Sequence, residues 1–216
     1  MIIEEINIKD EFYPQQLKNI YNPPLKLYVL GNKDLLKEDG IAIVGARKAT
    51  EYGEKVALDI SKKLSENGIN IISGLALGID TYAHLGTFQQ NGKGRTIAVL
   101  GSGLDIIYPK QNIGLAKEIL KRGGCIVSEY PLGTKPEKLH FPQRNRIISG
   151  LSKGVLVVEA SEKSGALITA DFALEQGKDV FAVPGDIGNL LSVGTNNLIK
   201  QGAKLVTKYD EILEEL

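Results

Sequence analysis

Apolar residues recur along the chain in short, nearly continuous runs separated by segments with helical spacing. The clearest runs are GIAIVGA from Gly40, INIISGLA from Ile69, RTIAVLGSG from Arg95, GCIVSEY from Gly124, GVLVVEA from Gly154 and DVFAVPG from Asp179, with AKLV from Ala203 as a weaker seventh. Strands that are covered on both faces have this composition, because neither face needs polar side chains. The runs therefore predict a mostly parallel sheet.

The segments between the runs predict helices. After the first run, Val56, Ile60 and Leu64 recur every four residues with charged residues between them, and similar apolar stripes follow the third and fifth runs. Strand and helix that alternate along a chain indicate an α/β fold with right-handed crossovers. We therefore expect a mostly parallel sheet with helices on both faces.

The two ends of the chain depart from this alternation. YPQQLKNIYNPPLKLYVLG, from Tyr13, predicts a short helix, a Pro-Pro turn and a strand, and YDEILEEL at the end predicts a short acidic helix. We interpret residues 1–39 as an extension packed on the core as an extra layer, and residues 40–216 as the core itself. The expectation is one structural domain overall.

Composition narrows the class of protein. The 216 residues are 43% hydrophobic, enough for one large globular core. Lys plus Arg and Asp plus Glu both total 26, which argues against a wholly basic coat but allows a local basic groove. No apolar run approaches the roughly 20 residues of a membrane span, and no secretory signal is evident. The lone Cys125 reads as a core thiol and fits a reducing cytoplasm, where we expect the protein to act, away from membranes.

Five glycine-bearing loops follow the predicted strands. In open α/β sheets ligands bind beyond the carboxyl ends of the strands, where helix N-termini present free N–H groups. Gly45 and Gly74 lie in the first two loops, and Ser164 and Gly165 begin a predicted helix that could hold a phosphate. The alternative is that these glycines only make tight turns. Neither GxGxxG nor GxxxxGK[ST] is present, so dinucleotide and P-loop sites are weak interpretations.

Basic residues are predicted on the same rim. Arg47 and Lys48 follow the first run directly, and Lys110 lies in the loop after the third. Their charges make them candidates for phosphate contacts. Three aromatic residues nearby in sequence are candidates for stacking on bases, with core packing as the alternative for each: Tyr52, Tyr108 and Phe141.

The stretch FPQRNRIISG brings two more arginines to this rim. Arg144 and Arg146 are two residues apart and do not share a helix face, so we expect different roles for them. One would face the ligand, while the other would pair with an acid such as Glu129 or Glu159. The alternative is that both arginines are structural.

Catalytic patterns are weak in this sequence. His84 follows Asp80 by four residues on a predicted helix, and a buried or capping histidine is favoured over a base. We find no HExxH, no GxSxG elbow and no metal-ligand cluster. The expectation is a protein that is not an enzyme, with no catalytic residues, no cofactor and no metal site.

Six motifs in order resemble the DNA-processing protein A family of bacteria, DprA or Smf. They run from about Tyr13 to about Val206, and FPQRNRIISGLS is the most distinctive part. The motifs are YPQQLKNIYNPPLKLYVLG, IAIVGARKATEYG, IISGLALGIDTYAH, TIAVLGSGLDIIYPKQN, SEYPLGTKPEKLHFPQRNRIISGLSKGVLVVEA and SGALITADFALEQGKDVFAVPG.

This resemblance implies an extended Rossmann-like domain that binds single-stranded DNA without known catalysis. Such proteins protect incoming strands during natural transformation in competent bacteria, help load the RecA recombinase and usually form homodimers. Arg47 and Lys110 fall on the family's DNA-contacting positions, and Arg144 and Arg146 match its FPxRNR motif. Many members carry further N-terminal helical and C-terminal winged-helix domains, so the chain is either a minimal member or a core segment.

Two other functions stay open. Nucleotide-cleaving phosphoribohydrolases of the lysine-decarboxylase-like group share a related fold and carry a PGGxGTxxE signature. The corresponding place here reads EKSGALITAD, which lacks the paired glycines and has Asp171 where an acid would be sought. The remaining alternative is a small-molecule-binding module that does not bind nucleic acid.

Overall fold

The apolar runs form the strands of a single nine-stranded sheet in the computed structural model, which describes residues 2–88 and 93–216. The strands are β1 (Ile3–Asn7), β2 (Lys26–Gly31), β3 (Gly40–Val44), β4 (Asn70–Ser73), β5 (Thr96–Leu100), β6 (Cys125–Ser128), β7 (Gly154–Val157), β8 (Asp179–Ala182) and β9 (Lys204–Leu205). The helices are α1 (Gln15–Lys18), α2 (Glu51–Glu66), α3 (Ile79–Gly86), α4 (Ile113–Lys121), α5 (His140–Gly150), α6 (Gly165–Glu175), α7 (Val193–Lys200) and α8 (Asp210–Leu213).

The strand order explains where a ligand site lies. It runs β1-β2-β6-β5-β4-β3-β7-β8-β9, and the strands from β3 to β9 are all parallel. After β3 the chain builds the sheet in one direction to β6, and then crosses back to add β7 on the other side of β3. Loops that leave β3 and β7 diverge to opposite faces, so a crevice opens between them at this switch point.

The two faces of the sheet bury against different helix layers, as the continuous apolar runs predict. Within β3, Ile41 and Ile43 belong to a core cluster with α2, α3 and α8. Their neighbours Ala42 and Val44 belong to a cluster with α1, α5 and α6. Because successive strand residues point to opposite faces, both sets are buried only when both faces are covered. The expected fold class, a mostly parallel α/β sheet with helices on both faces, is confirmed.

Residues 2–39 extend this sheet at one edge. β1 pairs antiparallel with β2, and β2 pairs antiparallel with β6. The sequence analysis did not predict β1, because IEEIN carries only two apolar residues. α1 contributes to the helix layer: Leu17 is fully buried, and a Cβ on Gly150 of α5 would come 2.6 Å from it. The segment thus provides edge strands as well as a packed layer, and the division at residue 39 stays a prediction.

Two smaller expectations concern the thiol and membranes. Cys125 is fully buried in β6, and burial raises the pKa of its thiol, as expected of a core cysteine. Within the described ranges, no helix combines the length and the apolar character needed to cross a bilayer.

Candidate nucleic-acid interface

A cavity of about 630 Å³ opens at the switch point, between the loops that leave β3 and β7 and the start of α5. Among the described residues that line it, the charged ones are mostly basic: Arg47, Lys48, Lys138 and Arg144 are cationic, and Asp80 is the acid. A cavity that gathers four cations around one carboxylate attracts an anionic ligand. The chain as a whole has no net charge, so this site is a local concentration of positive charge.

The loop that carries Arg47 is fixed by hydrogen bonds to a buried glutamate. Glu159, two residues after β7 ends, is buried and accepts hydrogen bonds from the backbone N–H of Thr50, at 2.9 Å, and from its hydroxyl. Gly45 packs closely against α3 and against the loop after β7, since a Cβ there would come 2.6 Å from Ile79 Cγ1 and 3.0 Å from the Glu159 carbonyl oxygen. Gly45 therefore lets two loops pack together, and this close packing positions Arg47.

Aromatic side chains adjoin the exposed Arg47 guanidinium. Its central carbon lies 5.4 Å from the ring centroid of Phe141, and that ring lies 5.6 Å from the ring of Tyr108. Tyr108 is 45% exposed, and Tyr52, whose hydroxyl donates to the Pro184 carbonyl, is 52% exposed. Core packing is therefore ruled out for Tyr52 and Tyr108. Tyr108 and Phe141 line the cavity beside a cation.

Lys110 lies at the same edge of the sheet but does not line the cavity. It is exposed, two residues beyond Tyr108 in the loop between β5 and α4. The side-chain amide of Asn112 donates to the carbonyl oxygens of Leu75, at 2.9 Å, and Ala76, at 3.1 Å. These bonds tie the Lys110 loop to the loop after β4. Lys110 is therefore placed to meet a ligand that extends beyond the cavity.

Arg144 forms part of the cavity floor. It is only 5% exposed, and its Nη1 donates to the carbonyl oxygens of Gly74, at 2.6 Å, and Val99. Burial lowers the pKa of its guanidinium to about 10. A Cβ on Gly74 would come 2.6 Å from this guanidinium, so the glycine is needed for space. Arg144 therefore joins the ends of β4 and β5, and its charge is largely committed to the fold.

Asp80 lies in the same floor. Its carboxylate accepts from the backbone N–H groups of Gly74, at 3.1 Å, and Ala76, at 3.3 Å. Burial raises the pKa of Asp80, and the charge of Arg144 opposes that shift. The carboxylate thus shapes the loop after β4 and offsets part of the buried positive charge.

Arg146 points to a different part of the molecule. It forms a bidentate ion pair with Glu129, with both N–O distances 2.7 Å, and its Nε donates to the Asn22 carbonyl oxygen at 2.9 Å. The expected pairing of one arginine with an acid such as Glu129 is confirmed, whereas the expectation that the other arginine faces a ligand stays a prediction, because Arg144 is buried in the cavity floor. Arg146 does not line the cavity, so its assignment as a DNA-binding residue stays a prediction that this geometry does not favour.

The start of α6 does reach the cavity. Ser164 caps this helix by accepting from the Ala166 N–H at 3.3 Å, and Gly165 is exposed, with no atom within 4 Å of the position of a Cβ. The Asn145 amide donates to the Gly165 carbonyl oxygen at 3.1 Å. The partial positive charge of the helix N-terminus therefore adds to the cations of the cavity.

Lys138 was missed by the sequence analysis. It is exposed, lines the cavity and lies three residues before Phe141. It lies in the loop PLGTKPEKLHFPQ, which leads into the FPQRNRIISG stretch that was predicted to reach the rim. The sequence alone does not show which lysines of that loop face solvent and which face the rim, because the loop has no regular spacing.

Two remaining expectations, a buried or capping role for His84 and the lack of a metal site, do not involve the cavity. His84 is fully buried, its Nδ1 lies 2.6 Å from the Thr96 hydroxyl oxygen, and burial lowers its pKa to about 3. It is therefore a neutral core residue at ordinary pH. The described residues contain no group of three or more side chains of the types His, Cys, Asp and Glu that could hold a metal ion.

The sequence of the chain matches a known protein family. The model of the family described as DNA recombination-mediator protein A matches residues 4–216. Protein Smf of Escherichia coli (strain K12) is 52% identical over 206 residues, which are 95% of this chain and 54% of that protein. The chain thus spans about half the length of this curated relative.

Two solved structures extend the comparison to the fold. The X-ray structure of DNA processing protein A from Streptococcus pneumoniae superposes with a TM-score of 0.93 at 47% identity, over 99% of this chain and 74% of that one. A structure that gives insights into the unique single-stranded DNA binding mode of DNA processing protein A from Helicobacter pylori has a TM-score of 0.86 at 31% identity, over 98% and 94%.

Proposed function

The chain belongs to the DNA recombination-mediator protein A family, and from this premise we propose that it binds single-stranded DNA at the cavity between the loops that leave β3 and β7. The proposal rests on one observation: the cations Arg47, Lys48 and Lys138 line the same cavity as the rings of Tyr108 and Phe141. A single strand offers phosphates and exposed base faces together. Proteins that take it without sequence preference combine cations with stacking surfaces.

The proposed contacts divide by burial. Arg47, Lys48 and Lys138 are exposed and reach phosphates, with Lys110 meeting the strand beyond the cavity. Arg144 and Asp80 stay in the floor and maintain its shape. Ser164 caps α6, and Gly165 supplies an N–H group at the start of this helix, while Gly45 and Gly74 act through close packing.

The wider roles belong to the whole protein. We propose that it protects incoming strands and helps load the RecA recombinase during natural transformation, in the cytoplasm. Support for these roles comes from the family alone. We also propose a homodimer, because one cavity grips few nucleotides and a second copy on the same strand would raise the effective affinity. Light scattering at tens of micromolar tests the dimer, and a monomer would contradict it.

Salt dependence of binding tests the central proposal. Three or four phosphate contacts predict a slope of log affinity against log salt of roughly −2 to −3, from about −0.7 per phosphate. The measurement is a titration of a labelled thirty-base oligonucleotide at several salt concentrations. Absence of binding, or affinity that does not depend on salt, would contradict the proposal. Release of free base from nucleoside monophosphates would instead favour the phosphoribohydrolase alternative.

A further inference from the structure

A second cavity adjoins the cavity at the switch point, on the side of β8. Its volume is about 480 Å³, and none of the described residues that line it also lines the first cavity. Consecutive residues form the wall between the two, because Leu191 lines the first cavity and Ser192 lines the second. The Ala160 N–H donates to the Leu191 carbonyl oxygen at 2.7 Å, which ties this wall to the loop after β7. A ligand that leaves the first cavity on this side therefore meets the second.

Tyr52 forms one side of the second cavity and presents an open ring. The residue is 52% exposed and lies in the first turn of α2. Its hydroxyl donates at 3.3 Å to the carbonyl oxygen of Pro184, which lies two residues beyond the end of β8. The ring is thus restrained at both ends, so it loses little conformational freedom when a ligand covers it. A restrained and exposed aromatic face is a stacking surface for a flat ligand.

The loop after β8 adds one acceptor and one donor to this cavity. Asp186 is exposed, and its Oδ1 accepts from the Gly188 N–H at 2.7 Å, while its Oδ2 has no hydrogen-bond partner among the described residues. The Asn189 Oδ1 accepts from the Leu191 N–H at 2.9 Å. Its Nδ2 has no partner in the described part of the chain and is not buried out of reach. The cavity therefore combines a flat face with a restrained acceptor and a restrained donor.

The charge of the second cavity shows which part of a single strand fits it. Asp186 is the one charged residue among the described residues that line it, whereas the first cavity gathers four cations around one carboxylate. A carboxylate repels a phosphate, so the sugar-phosphate backbone stays beside Arg47 and Lys48. A nucleobase is flat and uncharged, and it carries donors and acceptors on its edge. The lining therefore fits a base and not a phosphate.

The position of the second cavity continues a row of contacts along one edge of the sheet. Lys110 follows β5, the first cavity opens between the loops after β3 and β7, and Pro184 follows β8. The strand order between these points is β5-β4-β3-β7-β8. Four spacings between neighbouring strands span about 19 Å, so different nucleotides of one strand would contact the two ends of the row.

We propose that the second cavity binds a nucleobase of the same single strand, stacked on Tyr52 and adjacent to the nucleotides held in the first cavity. This inference rests on the proposed function, because the cations of the first cavity bring the strand to this edge. Every base has a π-face, so the stacking accepts any sequence. Asp186 and Asn189 bind the edge of the base. Because the ring is uncharged, its contribution to affinity does not depend on salt.

Photo-crosslinking of the full chain tests where the bases lie. The probe is a thirty-base oligonucleotide that carries 5-iododeoxyuridine at several positions, because this base forms photoadducts with aromatic rings on which it stacks. Mass spectrometry of the digested complex should find an adduct on Tyr52 in addition to adducts in the first cavity. Adducts confined to Tyr108 and Phe141 would overturn the second site.

Affinities of two Tyr52 variants distinguish stacking from a structural role. Tyr52→Leu keeps an apolar side chain without an aromatic face and should weaken oligonucleotide binding about fivefold or more, with the salt slope unchanged. Tyr52→Phe keeps the ring and should bind nearly as tightly as the wild type. The matched control is Tyr21→Leu, since Tyr21 is also exposed and lines neither cavity.

The outcomes separate this inference from the proposed function. Full affinity of Tyr52→Leu, a shallower salt slope in that variant, or an equal loss in Tyr52→Phe would overturn the second site and leave the first intact. Absence of oligonucleotide binding by the wild type would overturn both.

Discussion

Replacement of Arg47 by alanine tests the single-strand site most directly. The side chain is exposed at the mouth of the cavity and contacts the ring of Phe141. Its loop is held by the hydrogen bonds between Glu159 and Thr50, in which the Arg47 side chain takes no part. Arg47→Ala should therefore remove a cation without moving the loop, and the free energy of unfolding should change little.

The expected loss of affinity follows from one phosphate contact. A hydrogen bond to a charged group contributes roughly 1.5 to 3 kcal/mol, which corresponds to roughly 10- to 150-fold in affinity. The salt slope should also become less steep by about 0.7, the contribution of one phosphate on a single strand. Because phosphates carry no sequence information, the loss should be similar for every sequence.

Fluorescence anisotropy with thirty-base oligonucleotides of different sequence, from 50 to 300 mM salt, measures both quantities. The chain offers a matched control in Arg122, an arginine that also lies over a phenylalanine ring, Phe88, with 4.8 Å between its central carbon and the ring centroid. Arg122 lies at the C-terminal end of α4, just before β6 begins. It is therefore at the edge of the sheet where the parallel strands begin, opposite the edge with the cavity. Arg122→Ala should leave binding unchanged. Equal affinity of wild type and Arg47→Ala, or equal losses in both variants, would refute the site.

Three further changes separate the roles of other residues. Lys110→Ala should weaken binding at every sequence by about 3- to 10-fold and make the salt slope shallower; unaltered binding at low salt would exclude a contact beyond the cavity. Arg146→Ala leaves the Glu129 carboxylate without its ion-pair partner and should lower the free energy of unfolding by about 3 to 5 kcal/mol in urea titrations. The affinity of the folded protein for the oligonucleotide should fall much less. The reverse pattern would mean that Arg146 contacts DNA. His84 has a pKa of about 3 in the folded protein, below its usual 6.5, so the unfolded chain takes up the proton first as the pH falls. The neutral, buried His84 therefore contributes roughly 4 to 5 kcal/mol to the free energy of unfolding. This contribution is complete above pH 6.5 and is lost as the pH falls towards 3. Urea midpoints from pH 4 to 7 should show this slope in the wild type and a flatter one in His84→Gln, and parallel curves would contradict it.

Most of the fold could be predicted because the parallel strands carry a strong signal. In β3 and β7 every residue is apolar or glycine and buried, so the runs are continuous and their ends are marked by glycine or a polar residue. β1 carries no such signal: it is an edge strand, and only Ile6 of its five residues is buried. A strand with one partner and little burial has too few constraints on its sequence to be recognised.

The site could be predicted in position but not in detail. Topology alone places Arg47, Gly165 and the Lys110 loop at one edge of the sheet, because carboxyl ends of parallel strands meet there. Which of these side chains line the cavity depends on loop conformation and on distant contacts. Lys138 lies in an irregular loop, and the bonds of Asn112 to the loop after β4 are made between residues more than thirty positions apart. No spacing in the sequence reports such contacts.

The FPQRNR segment shows why charge in a motif is not the same as charge at a surface. Residues two apart on a helix differ by about 200° around its axis, so Arg144 and Arg146 leave α5 on different sides. Arg144 binds the ends of β4 and β5 at the cavity floor, and Arg146 binds Glu129 and the N-terminal turn. Both are more than nine-tenths buried, so neither presents a free cation to solvent. A loss of DNA binding on substitution of Arg144 would therefore report a collapsed floor, and only substitutions of the exposed cations, with Arg47 first among them, would report the proposed contacts with the strand.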